Sequence, residues 1–163
     1  QAAVGLAQVE KLQQFVDARV ASADRLTELL DGLAIQPVLP LPDTLGVYFF
    51  YSFRVDTTQL TVSMADVMKA LVAEGIDGFI GYPGEVPLYS YPVIRERKTF
   101  GTSGLPFTLP GVDPQDFSGS VCPVAEKACK ETVCMWWTDR FEEKHLQGIA
   151  QAIRKVLTAY GRG

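Results

Sequence analysis

The stretch Val47-Tyr48-Phe49-Phe50-Tyr51-Ser52-Phe53-Arg54-Val55 decides the fold class. It is dense in aromatic and β-branched side chains and free of glycine and proline, so it favours a pleated strand over a helix. Just before it, Gln36-Pro37 through Pro42 holds three prolines and predicts an extended connector. Further upstream Leu6, Val9, Leu12, Phe15, Val16, Leu26, Leu29, Leu30 and Leu33 recur at helical spacing. They predict a long amphipathic helix from Ala2 to about Leu33, with Ala21-Ser22 as the place for a break. Downstream, Ser63 followed by Asp66 resembles a capping box with a shorter acid and opens a helix from Met64 to about Glu74, stopped by Gly75. Phe79-Ile80 reads as a second strand and Val133-Cys134-Met135-Trp136-Trp137 as a third. Pro123 suits the first position of a helix to about Glu131. Phe141 to Tyr160 closes the chain as a helix, with Leu146, Ile149, Ile153, Val156 and Leu157 on one stripe. Tyr89 to Ser120 has no period, and a loop of that length is functional or covers something. The order α, β, α, β, loop, α, β, α predicts a small α/β domain, a three-stranded sheet with flanking helices. Its first helix is longer than such a domain needs.

Composition narrows the function classes. A chain of 163 residues with 47% hydrophobic and 21% charged residues is one globular domain, and disorder is excluded. No apolar run approaches the roughly 20 residues of a membrane span. The net charge of −4 and the lack of any basic run argue against nucleic acid as a partner. Three cysteines, Cys122, Cys129 and Cys134, are too few and odd in number for a disulfide scaffold, so an intracellular, cytoplasmic protein is expected. One histidine and no C-x-x-C pair leave a structural zinc site without ligands. The chain opens on Gln1 inside the apolar run Ala2-Ala3-Val4-Gly5-Leu6-Ala7, without a cap or a signal-peptide pattern, and ends on an ordinary helix. A C-terminal fragment of something longer is the expectation.

The chemistry-bearing residues do not assemble into a catalytic set. His145, on the polar side of the last helix, reads as a solvated group. Cys129 and Cys134 read as small buried hydrophobes. At a helix start the Cys122 thiolate would be favoured by the peptide dipoles, with capping the simpler role and a Cys122-based enzyme a third-rank hypothesis. Glu142 and Glu143 are adjacent on a helix and point apart, as on a solvated face. Gly101-Thr102-Ser103-Gly104 has the spacing of neither a nucleophile elbow nor a phosphate loop. Arg95, Arg97 and Lys98 form a local basic group that could hold an anion or be a solvated loop. Tyr82-Pro83 and Pro87-Leu88-Tyr89-Ser90-Tyr91-Pro92 follow a strand, where α/β folds place ligands. A packed aromatic turn is the competing reading, and the two are left even.

Several stretches, in order, resemble the C-terminal part of the DegT/DnrJ/EryC1/StrS family of pyridoxal-phosphate-dependent aminotransferases. Gln1 to Leu12 is similar to the helix joining the family's large and small domains, and Arg19 matches an arginine further along it. Gly75-Ile76, Gly81-Tyr82-Pro83 and Pro87-Leu88-Tyr89 resemble the family's run from a Gly-Ile turn to His-Tyr-Pro and Pro-Leu-His. Cys122-Pro123-Val124-Ala125-Glu126-Lys127-Ala128 is close to its Cys-Pro-Val-Ala-Glu-x-Ala helix start and is the most specific match. Three departures stand out. Gly81 and Tyr89 replace histidines, and Met135-Trp136-Trp137-Thr138-Asp139 replaces the usual Leu-Pro-x-His-Pro. Those histidines tend to lie near the substrate pocket.

The resemblance implies the C-terminal small domain of an aspartate aminotransferase-like fold, with residues 1–33 as the connecting helix and 34–163 as the small domain. It implies amino transfer, often from glutamate or glutamine, to a keto-sugar, cyclitol or related ketone. The Tyr and Trp replacements suit a flatter or more apolar acceptor about as well as a sugar nucleotide. Tyr82 and Tyr89, with Arg97 for an anionic group, are the expected pocket residues. Pyridoxal 5'-phosphate would belong to the whole enzyme, a homodimer, with its lysine in a missing large domain. None of Lys11, Lys69, Lys98, Lys127, Lys130, Lys144 or Lys155 stands in a cofactor-lysine motif, so the isolated chain is expected to be inactive. The other hypothesis is a free-standing interaction or regulatory domain derived from such an enzyme.

Overall fold

A computed structural model of the chain describes residues 1–81, 84–111 and 121–162. In chain order the elements are α1 (Ala2–Val9), α2 (Leu12–Leu29), β1 (Ile35–Pro37), β2 (Phe50–Val55), α3 (Met64–Ala73), β3 (Gly78–Ile80), α4 (Pro92–Arg95), α5 (Pro123–Glu131), β4 (Thr132–Trp136) and α6 (Glu143–Tyr160). Among the described residues the sheet has four strands in the order β1-β2-β4-β3, each pair antiparallel. This corrects the three-stranded expectation. Ile35-Gln36-Pro37 pairs with Val55-Arg54-Phe53 rather than serving only as a connector. Proline is tolerated there because β1 is an edge strand, where a missing N–H need not break a ladder.

Two further boundaries differ from the sequence reading. The N-terminal helix is continuous through Ala21-Ser22 and breaks instead at Glu10-Lys11. Lys11 sits in the sparsely populated bridge region (φ −100°, ψ −6°), a bend that no glycine or proline announces. Strand β2 starts at Phe50 because Tyr48 has φ 51°, a left-handed conformation that ends an extended run.

Period-2 alternation along β2 builds the core. Tyr51, Phe53 and Val55 are at most 3% exposed and face α2, α3 and α6, together with Val133 and Met135 of β4. Helix α3 starts as predicted, with Ser63 Oγ accepting the Asp66 N–H at 3.2 Å. Its Val67 and Leu71 are fully buried, as is Ile153 on the α6 stripe. Helix α2 shares this core through Ala23 and Leu26, joined by Leu30 at its C-cap. Helix α1 buries no residue and leaves Val4, Leu6 and Val9 exposed. No helix among the described residues is long and apolar enough to cross a membrane.

Candidate functional site on the second face of the sheet

The residues alternating with the core positions line the other face of the sheet, and they segregate. At one end Phe50 pairs with Trp136, and their rings lie 4.6 Å apart at 57°. Phe79 meets Phe50 edge-on at 5.2 Å, and Phe49 meets Phe50 at 4.5 Å. Phe49 is 65% and Trp136 49% exposed, so this aromatic patch is open to solvent. A groove of about 460 Å³ adjoins it, between the α3–β3 turn and the start of α6, with Trp136, Phe141, Ile76 and His145 on its walls. That volume is within the range of small-ligand pockets.

The middle and far end of the face are polar. Ser52 Oγ donates to Cys134 Sγ at 3.3 Å, and burial pushes the Cys134 thiol up, which leaves it unreactive. Arg54 Nη2 donates to Glu131 Oε2 at 3.0 Å, with the Glu131 side chain only 7% exposed. Thr57 Oγ1 donates to the other oxygen at 3.5 Å.

The segment that follows β3 carries the pocket residues expected from the sequence. Tyr82 lies outside the described residues. Tyr89 is half-buried in a short 3-10 turn (Leu88–Ser90), and its hydroxyl donates to Glu126 Oε1 of α5. Two of the resembling motifs, Pro87-Leu88-Tyr89 and Cys122 to Ala128, therefore meet in space. Arg97, just past α4, has φ 53°, and its guanidinium lies 5.9 Å from the centre of the Phe107 ring, within cation–π range.

Gly81 explains its own departure from the family pattern. Its φ is +69°, and its N–H donates to Thr132 O at 2.6 Å. A Cβ built there would stand 2.3 Å from both Cys129 O and Gly84 O, two backbone atoms that cannot swing aside. Gly81→His, the residue common in the family, is therefore expected to destabilise the domain by about 2–3 kcal/mol through overpacking and a left-handed backbone. Chemical denaturation of both proteins checks this, and equal midpoints would contradict it.

Other sequence candidates resolve plainly. Trp137 is not on the open face but in the core, 4% exposed, with its indole N–H donating to Arg19 O and Ser22 Oγ at 3.1 Å each. Cys122 occupies the N-cap position of α5, but its side chain makes no capping hydrogen bond. His145 is exposed as expected, yet it also caps α6. Its Nδ1 accepts the Glu142 N–H at 3.0 Å while the Glu142 side chain takes the His145 N–H, a reciprocal box the sequence reading missed. The pattern Glu-x-x-His keeps the reciprocal geometry of the capping box with a carboxylate in place of the N-cap hydroxyl and an imidazole nitrogen in place of the N3 carboxylate. Glu143 forms a two-pronged pair with Arg25 that ties α6 to α2.

The chain's own residues do not fit pyridoxal phosphate. A Schiff-base lysine must be held desolvated over the cofactor. All seven lysines here are exposed, and Lys69, Lys98, Lys127, Lys144 and Lys155 have their ammonium groups beside carboxylates.

The four-stranded antiparallel sheet and its helices match the fold of solved aminotransferase structures. PseC from Helicobacter pylori, an aminotransferase involved in the biosynthesis of pseudoaminic acid, superposes with a TM-score of 0.74 at 18% identity, covering 97% of this chain and 37% of that one. The aminotransferase TlmJ from Streptoalloteichus hindustanus gives 0.64 at 21% identity, covering 97% and 36%. NtdA from Bacillus subtilis, with bound cofactor PMP, gives 0.68 at 19%, covering 97% and 32%. The model of the DegT/DnrJ/EryC1/StrS aminotransferase family matches residues 1–154, and the chain belongs to that family. It spans about a third of the length of the solved structures it matches. A search of curated protein sequences finds no match.

Proposed function

We propose that the chain acts as the small domain of a pyridoxal-phosphate-dependent aminotransferase that delivers an amino group to a keto-sugar, cyclitol or related ketone. In this reading residues 1–33 connect it to a preceding large domain, and 34–163 cover one side of the active site and shape acceptor choice. The carrying observation is the pairing of a family match over residues 1–154 with seven solvent-exposed lysines. The family's chemistry needs a buried amine, and here every amine is on the surface. The cofactor supplies the electron sink of transamination. This chain's part is to exclude water and present Tyr82, Tyr89 and Arg97 toward the acceptor, in the cytoplasm and within a homodimer. The open apolar residues of α1 and the aromatic patch suit a surface that a larger assembly covers.

The test is to incubate the chain with pyridoxal phosphate, reduce with borohydride and map adducts by peptide mass spectrometry. Scattered, substoichiometric labelling of the lysines is expected. One stoichiometric adduct at a single lysine would overturn the reading.

A further inference from the structure

Tyr89 and Cys122 are 33 residues apart, yet one phenol oxygen joins them. That oxygen donates its proton to Glu126 Oε1 and accepts the Cys122 backbone N–H at 3.3 Å. The same Cys122 N–H reaches Glu126 Oε1 at 3.4 Å, so the three groups close a ring of hydrogen bonds at the head of α5. A helix start leaves N–H groups without intrahelical partners, and the Cys122 side chain caps none of them. The carboxylate also holds the phenol proton, raising Tyr89 above the ordinary tyrosine value.

We propose that Glu126 is a positioning residue: it clamps the Tyr89 phenol to α5 and so fixes the course of the segment leading on to Arg97. The inference rests on the reading of that segment as acceptor-facing. It also refines that reading. A phenol has one donor, and here the donor is spent on Glu126. What Tyr89 can offer outward is its ring, which suits a flat or apolar part of an acceptor and not a group that requires a donated hydrogen bond.

The test uses the 163-residue chain itself, as wild type, E126A, E126Q and Y89F, with folding of each confirmed by circular dichroism. Amide hydrogen exchange at Cys122, followed by NMR, is expected to speed up about fivefold in E126A and Y89F, the worth of one ordinary hydrogen bond. E126Q, which keeps an oxygen acceptor for the phenol, should stay near wild type. Ultraviolet titration of wild type against Y89F isolates the Tyr89 phenol. It should ionise above an ordinary tyrosine in wild type and fall back in E126Q, where the negative charge is gone. A glutamate that merely filled space would not move the phenol. Equal Cys122 exchange in all four proteins with an unshifted phenol would overturn the clamp, and neither readout depends on whether the protein transaminates.

Discussion

Trp137→Ala is expected to cost about 3–5 kcal/mol. The indole is 4% exposed and sits where three elements converge, with its ring 5.2 Å from Tyr51 of β2 and 4.7 Å from Phe141 ahead of α6. Its N–H reaches Arg19 O and Ser22 Oγ, so the same side chain pins α2 to the sheet. Truncation opens a cavity beneath well-packed aromatics, which cannot collapse to fill it. For a domain of this size such a loss lowers the melting temperature by roughly 10 °C. Trp137→Phe separates the causes. It keeps most of the ring but not the donor, and should cost about 1–2 kcal/mol. Melts followed by near-ultraviolet circular dichroism check both, and an alanine variant within 1 °C of wild type would show that Trp137 does not hold α2.

Glu131→Ala is expected to cost about 3 kcal/mol, for a different reason. The carboxylate is buried at the end of α5 and neutralises Arg54 across the sheet. Removing one member of a buried pair leaves the other charge uncompensated, which costs more than the pair ever contributed. Arg54 is 38% exposed, so water relieves part of the penalty, which places the value at the low end of the range. Its Nε is buried with no hydrogen-bond partner among the described residues, so the lost carboxylate adds to a polar demand already unmet. Lys127, 3.8 Å from Glu131 and 62% exposed, cannot substitute, since exposed i,i+4 pairs are worth only a few tenths of a kcal/mol. Urea denaturation of E131A, of R54M and of the double variant checks the argument. The double variant should recover most of the loss, and strictly additive losses would refute it.

Much of the fold was legible because it rests on local periodicity. The α6 stripe, the Ser63 cap of α3, Pro123 opening α5 and the aromatic run of β2 each follow from spacing within one element. Strand β1 was not legible. Ile35-Gln36-Pro37 has three residues, one of them proline, and becomes a strand only because β2 offers it an unpaired edge. The break at Glu10-Lys11 carries no breaker residue. Of the candidate site, the sequence yielded Tyr89 and Arg97 as residues but not their settings. Glu126 stood in the best-matching motif, yet its tie to Tyr89 depends on two segments meeting 37 residues apart.

What the sequence alone determined is the identity of the pieces: a chain of the DegT/DnrJ/EryC1/StrS aminotransferase family, its helices and main strands, and lysines at polar positions. These depend on the side-chain chemistry of neighbouring residues, which a linear reading contains. What only the tertiary structure decided is which side chains share a surface. The pleat sends Trp136 to the open face and Trp137 into the core. A left-handed backbone wedged between two carbonyls forbids a side chain at Gly81. Both outcomes depend on atoms brought close by folding, and distance through space is the quantity that a sequence does not contain.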